Sequence, residues 1–197
     1  MVISKNSGSV NASRRQKQIE DCLYENLLRR PYTSVSISDL CHQLDISRKS
    51  FYNYYPDKDS CFRSFISRKV RQCVLSITEG RDRRNTSEDY ITVFLNFWKQ
   101  ERLFLDVLTR NNILIFLLDQ CICFLRDEDP SVLEHLNTPK LPTDEFVLAN
   151  YVSTQILMVV HWYKGNFEIP VEEMVIKYKR LIYEPLLNND NNKERFQ

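Results

Sequence analysis

The sequence predicts an all-α protein: an N-terminal three-helix unit, a long connecting helix and a larger C-terminal helical part. Two observations predict it. Apolar residues recur three and four apart over most of the chain, the period of an amphipathic helix and not of a strand. Residues that cap helices stand at the starts of these runs, and proline or glycine at their ends. At 197 residues, with 43% hydrophobic and 12% aromatic residues, the chain is long enough for a small domain plus a second core, and too apolar to be disordered.

Met1 to Ala12 is rich in Ser and Asn and reads as a frayed arm with Lys5 near its start. A first helix is predicted from about Ser13 to Leu28, with Ile19, Cys22, Leu23, Leu27 and Leu28 at helical spacing, and Pro31 ends it. Ser36 with Asp39 three residues later makes a capping-box pattern that opens a short helix over Ile37 to Leu44, with Ile37, Leu40, Cys41 and Leu44 on its packing face. Asp45 tolerates the left-handed backbone that a tight turn needs, Ile46 plugs the turn, and Ser47 caps the next helix, Arg48 to about Tyr55. Phe51 and Tyr55, four apart, point inward on it.

A longer helix follows Pro56, with Asp57 as its cap and Phe62, Phe65, Ile66, Val70, Cys73, Val74 and Ile77 on one face. It should run to Gly80, and the charged stretch Arg81 to Asn85 marks a break. Thr86 or Ser87 then opens a helix carrying Tyr90, Phe94, Phe97 and Trp98 to about Gln100, followed by Glu101 to Thr109. Asn111 or Asn112 should open Ile113 to Leu125, apolar nearly all round and so predicted to be buried on most sides. Asp127 to Thr143 reads as a loop with a short helix, Val132 to Leu136. Asp144 caps Glu145 to Tyr163, Lys164-Gly165-Asn166 is a helix-ending signal, and Pro170 starts a last helix through about Leu187. The expected domains are 13–62, a connecting 63–84, and 85–190.

The face of the second motif helix that is left outward carries Arg48, Lys49, Ser50, Tyr52, Asn53 and Tyr54. These side chains reach guanine and adenine edges, thymine methyls and phosphate oxygens when such a helix lies in a major groove. Charged residues on a short helix are ordinarily only solvated, so the pattern matters more than the cations alone. The net charge of +1 hides an asymmetry: residues 1–84 hold 16 Lys and Arg against 9 Asp and Glu, whereas 85–197 hold 11 against 17. A basic N-terminal half suits a polyanionic partner.

The run from Ile37 through Ser-Asp-Leu-Cys, then Leu44-Asp-Ile-Ser-Arg-Lys-Ser-Phe-Tyr-Asn-Tyr-Tyr-Pro-Asp-Lys-Asp-Ser-Cys-Phe62, resembles the DNA-binding domain of TetR-type transcriptional regulators. Their pattern is V-x-D-I-A, then A-G-V-S-x-x-T-L-Y-x-H-F-x-x-K-E-x-L-F, and the likeness extends over about Gln16 to Phe62. The resemblance implies an operator-binding protein in which Tyr52, Tyr54 and Lys58 meet phosphates. With the outward residues, the expected DNA-facing set is Ser36, Ser47, Arg48, Lys49, Ser50, Tyr52, Asn53, Tyr54 and Lys58. The sequence departs from the pattern at Asp45 and Lys49, where Gly is frequent, and at Tyr54, where His is usual.

Farther on, Phe97-Trp-Lys-Gln-Glu-Arg-Leu-Phe104, His161-Trp-Tyr163 and Pro170-Val-Glu-Glu-Met174 resemble the regulators grouped with the dihydroxyacetone-kinase operon activator. TetR-like proteins hold a small molecule among the connecting helix and the helices that correspond here to Phe94–Trp98, Ile113–Phe124 and Tyr151–Trp162. That resemblance implies an effector site drawn from Phe94, Trp98, Phe116, Gln120, Tyr151, Gln155 and Met158. For each polar residue of this group, a satisfied core or surface role competes with a ligand role. Few charges face this interior by pattern, which favours a neutral or aromatic effector over a phosphorylated one. The last two helices, about 145–163 and 171–187, carry more apolar faces than one core needs; Met174, Tyr178, Leu181, Ile182 and Pro185 form a second stripe, and a homodimeric four-helix bundle is expected there.

Catalysis is not expected. Three glycines, Gly8, Gly80 and Gly165, cannot build a phosphate-cradling loop, and His42, His135 and His161 lack metal-ligand spacing. No cofactor or metal is expected. Six cysteines fall mostly at apolar helical positions, and Cys121 and Cys123 lie on opposite sides of a helix, so packing in a reducing compartment is the expected use. With no apolar signal segment, and apolar runs no longer than Ile113 to Leu118 or Ile156 to Val160, the cytoplasm is the expected location and no membrane partner is expected. A helical ligand-binding or protein-binding module of the same fold, without operator binding, is the alternative function.

Overall fold

The structure is a computed structural model that describes residues 6–79, 87–127 and 144–183. The described residues are helical and contain no strand. In order they are α1 (Asn6–Leu27), a 3-10 turn (Tyr32–Ser34), α2 (Ile37–Gln43), α3 (Arg48–Tyr52), α4 (Lys58–Glu79), α5 (Ser87–Gln100), α6 (Arg102–Arg110), α7 (Leu114–Asp127), α8 (Glu145–Lys164) and α9 (Val171–Tyr178), which ends in a π turn (Lys179–Tyr183). The chain divides into two compact units at 69/70, inside α4.

In the first unit the apolar stripe of α1 closes on α2, α3 and the start of α4. Ile19, Leu23, Leu27, Leu40, Phe51, Phe62 and Ile66 are fully buried. Polar clips fix the register. Asn26 and Gln43 exchange amide hydrogen bonds of 2.7 and 3.2 Å between α1 and α2. Glu20, buried on α1, accepts from Tyr55 Oη at 2.7 Å, Ser64 Oγ at 2.6 Å and Arg68 Nε at 2.9 Å. A buried carboxylate needs such partners, and these three tie α4 and the end of the motif to α1. α1 starts at Asn6, earlier than the expected Ser13, because elongating an existing helix adds one hydrogen bond for each residue fixed.

In the second unit, α9 packs on α5, while α7 and α6 pack on α8. Leu95, Phe104, Leu105, Val107, Leu108, Leu117 and Val159 are fully buried. Two expectations are corrected here, the opening at Asn112 and the burial of α7. Asn112 does not open a helix: at φ 55 it ends α6, with Ile113 N–H reaching back to Leu108 O at 3.0 Å. The helix-ending signal Lys164-Gly165-Asn166 acts as expected: α8 stops at Lys164 with Gly165 as its cap at φ −81, and the left-handed residues that follow are Asn166 (φ 55) and Phe167 (φ 56), whose N–H groups close on Tyr163 O and Trp162 O at 2.9 Å. α7 is not buried on most sides: Phe116 and Leu117 are its buried residues, and Ile115 is exposed.

The expected loop to Thr143 with its helix Val132 to Leu136, the break at Gly80 to Asn85, and the stretch beyond Tyr183, with Pro185 and Leu187, lie outside the described residues. Among the described residues, no single helix is long and apolar enough to cross a membrane, and no cluster of His, Cys, Asp and Glu is arranged to hold a metal. The six cysteines are free.

Candidate functional site

Two helix caps and one left-handed residue build the turn that presents α3. Ser36 Oγ accepts from Asp39 N at 3.1 Å while Asp39 Oδ2 accepts from Ser36 N at 3.0 Å, a complete capping box at the start of α2. Asp45 has φ 49, and Ile46 N–H bonds back to Cys41 O at 3.0 Å, so the chain reverses within a few residues of α2. Ser47 Oγ then accepts from Ser50 N at 3.0 Å and caps α3. Phe51, fully buried, and Tyr55, nearly so, seat this short helix, which leaves Arg48, Lys49, Tyr52 and Asn53 in solvent.

The outward residues are partly ordered by one another. Arg48 Nη2 donates to Tyr52 Oη at 3.3 Å, and its guanidinium lies 6.0 Å from the Tyr52 ring centroid. Tyr52 keeps 45% of its surface exposed. Lys58 is different. Its Nζ donates to Tyr32 O at 2.7 Å and Val35 O at 2.9 Å and stands 4.1 Å from the centre of the Tyr32 ring. Burial pushes its pKa down, with neighbouring Asp59 opposing the shift.

A second feature lies in the C-terminal unit. A cavity of about 80 Å³ is lined by Val70, Cys73, Val74 and Ile77 from α4, Tyr90, Phe94 and Trp98 from α5, Cys121, Phe124 and Leu125 from α7, and Tyr151, Val152, Gln155 and Ile156 from α8. Among the described residues, no acidic, basic or histidine side chain lines it. From α9, Tyr178 donates its hydroxyl to Gln155 Oε1 and meets the hydroxyls of Tyr90 and Tyr151. Burial holds Tyr90 and Tyr178 well above the ordinary tyrosine value, so both stay protonated at neutral pH.

This arrangement of helices has counterparts among solved structures. A protein described as a TetR-family transcriptional regulator from Syntrophomonas wolfei superposes with a TM-score of 0.57 at 17% identity, over 91% of this chain and 94% of that one. The fatty acid degradation regulator FadR from Bacillus halodurans superposes with a TM-score of 0.51 at 14% identity, over 86% and 94%. The fold is that of TetR-family transcriptional regulators. In sequence, the chain is 34% identical over 77 residues to the HTH-type transcriptional regulator EthR of Mycobacterium tuberculosis and of Mycobacterium bovis. That stretch is 36% of this chain and spans 36% of those relatives' length. No family's sequence profile matches the chain.

Within this TetR-type fold the expected residues fall into distinct groups. Arg48, Lys49, Tyr52 and Asn53 are exposed around α3, with Ser50 and Tyr54 partly so. The hydroxyls of Ser36 and Ser47 hold helix ends, and that of Ser50 lies 2.9 Å from Ser47 Oγ. Lys58 opens α4, as the pattern suggests, with its ammonium bound to backbone carbonyls. Of the expected effector set, Phe94, Trp98, Tyr151 and Gln155 line the cavity; Phe116, Gln120 and Met158 are not among its lining.

Sequence reasoning left out, among other lining residues, Tyr90 and the α4 residues Val70, Cys73, Val74 and Ile77. Spacing carried a signal for Tyr90, which precedes Phe94 and Trp98 by steps of four. Nothing in the sequence places Tyr178 against Gln155, because the two residues lie 23 apart on different helices.

Proposed function

We propose that the chain is a ligand-responsive transcriptional regulator that binds a palindromic DNA operator as a homodimer and is not an enzyme. The observation that carries this is the outward surface of α3: two cations, a phenol and an amide stand in solvent on a helix held by a capped, left-handed turn. Such a helix in a major groove offers Arg48 and Asn53 to base edges and Tyr52 and Lys49 to phosphates. The basic charge balance of residues 1–84 supports the same partner.

The homodimer is supported by apolar residues left in solvent on the last two helices. On α8, Phe146 is 86% exposed and Leu157 52%; on α9 and its π turn, Ile176 is 66% exposed and Leu181 60%. Large apolar side chains gathered on two adjacent elements mark an association face. Of the stripe expected there, Met174, Tyr178 and Ile182 are instead buried within the chain, which leaves Leu181 from that stripe and adds Ile176 to the proposed contact. A two-fold pair would offer two α3 helices to half-sites about one DNA turn apart. Ligand response is supported by the cavity, four of whose lining residues belong to α4.

A salt titration of duplex binding tests the proposal. Log affinity should fall with log salt by ~0.9 for each phosphate neutralised, and Arg48→Ala or Asn53→Ala should relax sequence preference by ~1–3 kcal/mol at one base pair. A flat salt dependence with no sequence preference would favour a protein-binding or ligand-binding module instead.

A further inference from the structure

Where α6 packs on the end of α8, an open depression of about 520 Å³ is lined by Arg102, Thr109, Arg110, Tyr163, Lys164 and Asn166. Three of these six are cations, and among the described residues no acid lines it. The carboxylate that borders it, Asp106, is already engaged: Tyr163 Oη donates to it at 3.0 Å, and Arg110 Nη1 lies 3.4 Å from it. Arg102 and Lys164 are not neutralised in this way. Both are exposed, and neither has an ion pair among the described residues.

The residues that end α8 hold this group together. Asn166, left-handed at φ 55, accepts from Arg102 Nη2 at 2.7 Å through its side-chain oxygen, so its amide N–H groups remain as further donors. Cations gathered on one surface repel one another, a cost that a bound anion removes. A guanidinium offers a fork of donors matched to carboxylate or phosphate oxygens, and an ammonium adds a point charge. Two cations without carboxylate partners balance a dianion; a neutral compound leaves their repulsion in place. Because the depression is open, an anion there stays partly hydrated and escapes the cost of burying a charge, and the space falls in the range of small-molecule sites.

We propose that this depression binds a small organic dianion, a phosphate monoester or a dicarboxylate, whose oxygens are held by Arg102, Lys164 and the Asn166 amide. The site shares no lining residue with the aromatic cavity. It goes beyond operator binding and does not rest on it, since the anion is recognised by α6 and α8 alone.

The test uses the full chain, 15N-labelled, titrated at low salt with glycerol 3-phosphate, succinate and glycerol, at a pH of about 7.5 where the phosphate ester carries close to two charges. The side-chain amide resonance of Asn166, assigned with Asn166→Ala, is the reporter. At least one dianion should shift it saturably, the tighter of the two naming the anion class, while glycerol leaves it in place. Lys164→Glu should weaken that binding about tenfold, and Lys164→Arg should retain it. Lys177→Glu, the same charge reversal at an exposed position on α9, should change it by less than about twofold, since screening confines the effect of a remote charge. Should Lys164→Glu misfold, Lys164→Gln replaces it with a smaller loss, about threefold. No saturable shift with either dianion, an equal response to glycerol, undiminished binding when the Lys164 charge is removed or reversed, or equal weakening by Lys164→Glu and Lys177→Glu overturns the proposal.

Discussion

At the scale of single residues, Lys58 and Tyr52 separate two kinds of contribution that the sequence pattern places side by side. Tyr52 stands in solvent, so Tyr52→Ala should weaken binding to all duplexes and leave stability within about 0.5 kcal/mol. Lys58 bridges Tyr32 O and Val35 O, which lead into α2, and removing its ammonium leaves two carbonyls without that donor. Lys58→Ala should therefore cost about 1–2 kcal/mol of folding stability as well as duplex affinity, read by urea unfolding beside a binding titration. Glu20 makes a sharper case. It is the shared acceptor of Tyr55, Ser64 and Arg68, so Glu20→Ala should destabilise by about 2–3 kcal/mol, and a midpoint of denaturation unchanged from wild type would show that the network is dispensable.

At the scale of elements, the ends of the short helices decide whether the motif exists, because α2 and α3, at 7 and 5 residues, are too short to be stable alone. Asp45 pays a steric penalty at φ 49 that glycine lacks; Asp45→Gly should stabilise by about 1 kcal/mol, measurable as a raised melting temperature. Asp39 is held below its ordinary value of 3.8 by the hydrogen bond from the Ser36 backbone, with Arg30 assisting. A carboxyl whose folded value is lower than its unfolded one stabilises fully above 3.8 and loses that contribution as the pH falls through the lowered value. Asp57, which accepts from Ser60 N at 2.6 Å near the start of α4, behaves in the same sense. Acid titration of helicity should show α2 loosening below that range, and Asp39→Asn should flatten that part of the curve.

At the scale of the whole molecule, the proposed association face is the feature with the largest consequence. Leu157→Asp places a charge on the exposed side of α8 and should leave the fold intact while converting a dimer to monomers in sedimentation; unchanged sedimentation would place the contact elsewhere. Monomers should also bind a two-half-site duplex far more weakly than the wild type, since linked half-sites gain by effective concentration.

The local chemistry of the chain was legible from residue order alone. Ser36 with Asp39, Asp45, Ser47 and Asp144 announce helix ends because a cap depends on atoms three or four residues away, and all of these appear where spacing puts them. The amphipathic period gave the faces of α1, α3 and α4 for the same reason: one face repeats within the helix itself. What needed the tertiary structure were contacts between helices distant in sequence. Asn26 with Gln43, Glu20 with Arg68, and Tyr178 with Gln155 cannot be inferred from period, since a polar residue on an apolar face looks alike whether it is bonded or not. The same holds for Arg102 and Lys164, which line one depression only because α6 packs on α8, and for Met174, Tyr178 and Ile182, which only packing could assign to the chain's own core. Short-range geometry is written in the order of residues; burial and pairing depend on which surfaces meet, and that is decided by the folded chain.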